Sequence, residues 1–91
     1  MPQPPAIGRV VIYRLSEEDA RHITQQRHHS GANGNFVREG DRYPATVVKT
    51  FPANPADVAN LKVMLDGDDT YWATSRHMGD EPGTWSWPVI S

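Results

Sequence analysis

The chain contains no cysteine. Disulfide staples and thiolate metal sites are therefore excluded. A secreted domain of only 91 residues normally leans on disulfides, so their absence favours an intracellular location. Apolar residues are also scarce, at 37%. No apolar run approaches the roughly 20 residues that a membrane-spanning helix needs. The opening MPQPPAIGR has neither a basic n-region nor an apolar h-region, so no signal peptide is expected. An excess of positive charge is missing as well. The net charge of −2 argues against long nucleic acids, which attract basic domains. Recognised catalytic motifs are absent: there is no H-E-x-x-H, no P-loop and no nucleophile elbow. His22-Ile23-Thr24 has the H-x-T form of a phosphodiesterase motif, but it occurs once. The expectation is a non-enzymatic protein without a cofactor.

What remains is one small domain with a thin core. A chain this short and this polar gains from oligomerisation, because an interface supplies apolar burial that the monomer lacks. Seven of the nine basic residues are arginine, a bias toward bidentate contacts rather than diffuse attraction. Residues 1–8 are proline-rich and read as an extended, mobile lead, with a single β-rich domain over 9–91.

Arg9–Leu15 is β-branched and aromatic and predicts a strand. Ser16 follows as a helix N-cap, with Asp19 at the capping-box position and a lightly amphipathic helix through His29. Ser30–Asn35 reads as a flexible loop. Arg42–Phe51 predicts a second strand, in which Pro44 suggests an edge or first-residue position. A loop follows over residues 52–60. Leu61, Val63 and Leu65 alternate as an inward face. Asp66–Asp69 is a turn, Thr70–Thr74 the returning strand, and Trp85–Val89 a last short strand. About five short strands with a helix after the first predict a mostly β, α+β fold. The expected architecture is a small SH3-like antiparallel barrel.

Candidate site residues cluster late in the chain. All three tryptophans, Trp72, Trp85 and Trp87, lie there. Tyr71 and Trp72 point to opposite faces of one strand, and the expectation is Trp72 inward, leaving Tyr71 free. Trp85 and Trp87 share a face, either closing the barrel mouth or lining a surface patch. Ser75, Arg76 and His77 open a glycine-bearing loop suited to an anion, or simply a solvated loop. Arg38, Arg42 and Tyr43 flank the Glu39-Gly40-Asp41 turn at the entry to the second strand. Flat rings beside guanidinium groups suit a flat, anionic, nucleotide-type ligand. No metal site is expected. Asp66, Asp68 and Asp69 lack EF-hand spacing. His22, His28 and His29 lack the ligands that would complete a zinc set.

Gly8–Ala20, Val37–Val48 and Asn60–Pro88, with LDGxDTxW paired to GTWxWP, resemble small accessory proteins of tailed bacteriophages and prophages. The resemblance covers most of the chain and implies a phage origin and the host cytoplasm. Accessory proteins of this kind include virion parts, host-takeover inhibitors and anti-defence sponges. The sponges bind cyclic nucleotide immune signals between protomers without cleaving them. Two functions follow as expectations: sequestration of a small nucleotide-type ligand, or protein binding, as a minor virion component for example, through a tryptophan-rich patch.

Overall fold

The structure, a computed structural model, describes residues 3–51 and 57–89. Five strands run antiparallel: β1 (Val10–Arg14), β2 (Arg42–Thr50), β3 (Ala59–Met64), β4 (Thr70–Arg76) and β5 (Trp85–Ser86). Their order across the sheet is β4-β3-β2-β1-β5. One helix, α1 (Glu17–Ser30), sits between β1 and β2. The mostly β class with a helix after the first strand agrees with the sequence reading. The sheet does not close into a barrel ladder. A single parallel bridge between Met78 and Trp85 brings the chain beyond β4 against β5. No described helix is long and apolar enough to cross a membrane.

Strand alternation divides the sheet into two faces. The inner face carries Val11, Tyr13, Ala45, Val47, Leu61, Val63, Tyr71, Ala73 and Trp85, all buried. Leu61, Val63 and Leu65 point inward as their spacing predicts. Pro44 is tolerated because the β2–β3 ladder starts at Ala45, so at Pro44 the strand has only β1 beside it.

The helix is pinned to this core at both ends. At its start the capping box is complete. Ser16 Oγ accepts from the Asp19 N–H at 3.0 Å, and the Ser16 N–H donates to Asp19 Oδ2 at 2.9 Å. Asp19 is only 1% exposed. Its carboxylate also accepts from the Tyr13 hydroxyl, from Tyr71 at 2.9 Å and from Arg76 Nη2 at 2.9 Å. Burial by itself would raise the pKa of this acid. The bonds from the Ser16 N–H, Tyr13 and Tyr71, with the Arg76 charge, outweigh burial and hold it below the ordinary carboxylate value. The two phenols move the other way: burial and the bond to Asp19 push Tyr71 up to about 12 and raise Tyr13 as well.

At the helix end Gly31 closes the last turn in the left-handed conformation, at φ 74°. Arg27 then forms a forked pair with Asp69, at 2.9 and 3.2 Å, and donates to the Asn35 carbonyl. The segment expected to be flexible, Ser30–Asn35, is instead stitched to the Asp66–Asp69 turn. Asn33 and Asp68 exchange bonds, Asn35 donates twice to Asp66, and Gly34 bridges Gly67. A Cβ on Gly67 would sit 2.6 Å from the Asn33 carbonyl oxygen, so only glycine allows this approach.

The proline-rich lead, expected to be mobile, lies against the sheet from Gln3 onward. Pro5 is buried, Gly8 donates to the Val47 carbonyl, and the Gln3 carbonyl accepts from Trp87 Nε1 at 2.8 Å. Burial and these bonds offset the ordering entropy that an exposed lead would keep. Most of the loop expected over residues 52–60 falls outside the described residues.

Asp19→Asn keeps the side chain's size but removes its charge. It will lower urea-unfolding stability at pH 7 by about 3 kcal/mol, because four donors lose an ionised acceptor. A folded pKa below the unfolded value means that this contribution is full above about pH 4 and disappears as pH falls through the folded pKa. The gap between wild type and Asp19→Asn should therefore narrow in acid. A gap that is constant or grows as pH falls contradicts the assignment.

Candidate functional site

The nine residues singled out from the sequence do not converge. Tyr71 is 7% exposed and Trp85 0% exposed. Trp85 donates through Nε1 to the carbonyls of Asp57 and Arg76, at 3.0 and 3.2 Å. Arg76 is spent on Asp19. The expected parity of Tyr71 and Trp72 is reversed: Tyr71 faces the core, and Trp72 is 59% exposed. The reason is the buried carboxylate. From inside the sheet the Tyr71 phenol reaches Asp19 and supplies one of the donors that the buried carboxylate needs.

Ser75 occupies the left-handed region, at φ 54°, where the β3–β4 register shifts; its N–H donates to Asn60 Oδ1. His77 is an exposed partner of Asp57, at 3.3 Å. Arg38 is exposed at the Gly40 turn, and Tyr43 is half-buried on the inner face beside Tyr13.

Two of the nine, Trp87 and Arg42, do line cavities, and the cavities are neighbours. Both lie on the seam between β1 and the β5 segment. The first cleft, about 160 Å³, is lined by Ile12, Arg14, Arg42, Thr84 and Ser86, with Asp80 at its side. Arg14 Nη1 donates to the Asp80 carbonyl, while its buried Nε has no hydrogen-bond partner among the described residues. Two guanidinium groups against one carboxylate leave the cleft net positive. The Ser86 hydroxyl adds a neutral donor, while that of Thr84 is given to the Glu81 carbonyl. This set matches phosphate-type anions, which arginine binds in a fork.

The second cleft, about 250 Å³, is lined by Gln3, Arg9, Val10, Trp87 and Pro88. The half-buried Trp87 ring packs edge-on against Trp85 at 5.6 Å, and the Arg9 guanidinium lies 5.1 Å from its centroid. Val10 and Ile12, one from each cleft, are two residues apart on β1. They point to the same face and are about 7 Å apart along the strand. An aromatic-cationic cleft therefore adjoins a second, arginine-lined cleft along β1.

The sequence reading missed Arg14, Thr84, Ser86 and Arg9. Arg14 was within reach of it, since the alternation Val10, Ile12, Arg14 already places it outward. Thr84 and Ser86 join it only through the β1–β5 pairing, a long-range register that no local pattern encodes.

Two substitutions separate core from surface. Trp85→Ala empties a fully buried site and will cost about 3–5 kcal/mol, enough to unfold much of the population of so small a domain. Trp72→Ala will change stability by no more than about 0.5 kcal/mol. Thermal melts of both variants check this, and equal losses would contradict the assignment of faces. Comparisons with protein-family models, curated proteins and solved structures returned no match.

Proposed function

We propose that this chain is a binding protein that sequesters a small nucleotide-type ligand without transforming it. The base lies in the Trp87–Arg9 cleft and a phosphate lies between Arg14 and Arg42. The observation that carries this reading is the adjacency of the two clefts along the β1–β5 seam. Stacking on an aromatic ring contributes about 1–3 kcal/mol and tolerates any base. The arginine fork then selects for the phosphate.

A cyclic nucleotide immune signal is one member of this class. The anti-defence role of a phage protein in the host cytoplasm, with pairs of chains enclosing the ligand, extends the same reading. The accompanying architecture is a half-closed barrel of SH3-like type, supported by the Met78–Trp85 bridge.

Calorimetry against nucleoside monophosphates and cyclic dinucleotides tests the proposal. Wild type should give binding heat and return the ligand unchanged after prolonged incubation. Arg42→Ala, at an exposed position, should weaken binding about tenfold, the value of one charge-assisted bond. Absence of heat for every member of the panel contradicts the proposal, and so does ligand breakdown.

A second reading, docking of a protein partner, is favoured by a different observation. Met64 and Trp72 are 49% and 59% exposed on neighbouring strands of the outer face. Exposed apolar side chains grouped in this way often mark contact surfaces.

A further inference from the structure

The eleven acidic residues and the nine basic ones are distributed very differently. No acidic residue lies in a strand: all are in α1 or in loops. Arg14, Arg42, Lys49, Lys62 and Arg76 do lie in strands. Of these, Arg76 turns inward to Asp19. Arg14, Arg42 and Lys62 occupy the outer alternation, and Lys49 stands opposite Asn60 on the same side. A chain with net charge −2 thus presents one face on which strand side chains contribute positive charge only.

That face also carries Trp72, with Lys62 Nζ 5.9 Å from its ring centroid. Trp72 pairs with Lys62, Lys62 with Thr46, and Thr46 with Val10. The row runs straight across the sheet from the exposed indole to the residue that lines the Trp87 cleft. Three interstrand steps make it about 14 Å long. One nucleotide seated in the seam does not reach Trp72; a strand of several nucleotides does.

We propose that the outer face binds a short single-stranded oligonucleotide, with one end in the β1–β5 seam and a base stacked on Trp72. This rests on the nucleotide reading of the seam and names its ligand class. Charge complementarity selects the occupant. A second copy of this chain would set cation against cation, whereas a phosphodiester strand neutralises the row while its bases cover the apolar positions. Open sheet faces that pair aromatics with cations bind single strands by stacking and backbone attraction. The net charge of −2 favours short segments over long strands.

The test uses fluorescence anisotropy of labelled oligothymidylate about eight residues long, a length within the range for single-strand platforms. Thymidine monophosphate is measured in parallel by calorimetry. The oligonucleotide should bind at least about tenfold tighter than the mononucleotide, and Trp72→Ala should remove about that factor, the effect of one stacked base, while mononucleotide binding stays unchanged. Affinity should fall between about 50 and 200 mM salt, with a shallower slope for Lys62→Ala.

If the mononucleotide binds but the oligonucleotide gains nothing and ignores Trp72→Ala, the proposal fails and the seam reading stands. If neither binds, both fail. Equal competition by polyglutamate would assign the face to acidic peptides and overturn the proposal. Circular dichroism of Trp72→Ala and Lys62→Ala confirms that lost binding is not lost fold.

Discussion

One buried carboxylate organises this small domain. Asp19 belongs to the helix cap, yet it accepts hydrogen bonds from Tyr13 on β1 and from Tyr71 and Arg76 on β4. Taking a charge out of water costs several kcal/mol, and only a full set of donors offsets that. Here the set is full, and its donors come from elements far apart in sequence. The helix start is therefore locked to two strands that do not touch each other in the sheet. The same bonds consume the tyrosine and the arginine that otherwise looked most available for a ligand.

A second lock, the Arg27–Asp69 fork, holds the other end of α1 to the β3–β4 turn. With both helix ends fixed, the inner face of the sheet is closed. The proposed binding falls to the outer face and to the seam where β5 meets β1. What lies there is consistent: guanidinium groups, hydroxyls, a half-buried indole, an exposed indole, and no carboxylate within the strands. The acids that bring the net charge to −2 are used for capping, turns and the two locks, or lie in loops.

Much of the fold was legible in the sequence because its signals are local. Ser16 and Asp19 announce the cap, Leu61-x-Val63-x-Leu65 announces an inward face, and the aspartate-glycine run announces the hairpin. The site was legible only in part. Alternation assigns Tyr71 and Trp72 to opposite faces but does not say which face is inside. That choice is made by Asp19, some fifty residues away, and hydrophobicity alone ranks the two the wrong way round. Likewise Ser30–Asn35 looks flexible until Gly67 admits it, and the proline-rich lead looks mobile until Trp87 donates to Gln3. Arg42 and Trp87 were found by residue type. Their partners Arg14, Thr84 and Ser86 needed the strand pairing.

The proposed binding uses the outer face and the β1–β5 seam, not the Asp19 side. Amide chemical-shift mapping during titration with a nucleoside monophosphate tests it most directly. Shifts confined to Gln3, Arg9–Arg14, Arg42 and Gly79–Val89, with α1 and β4 silent, are the predicted result. Shifts centred on Asp19, Tyr71 and Arg76 would contradict it.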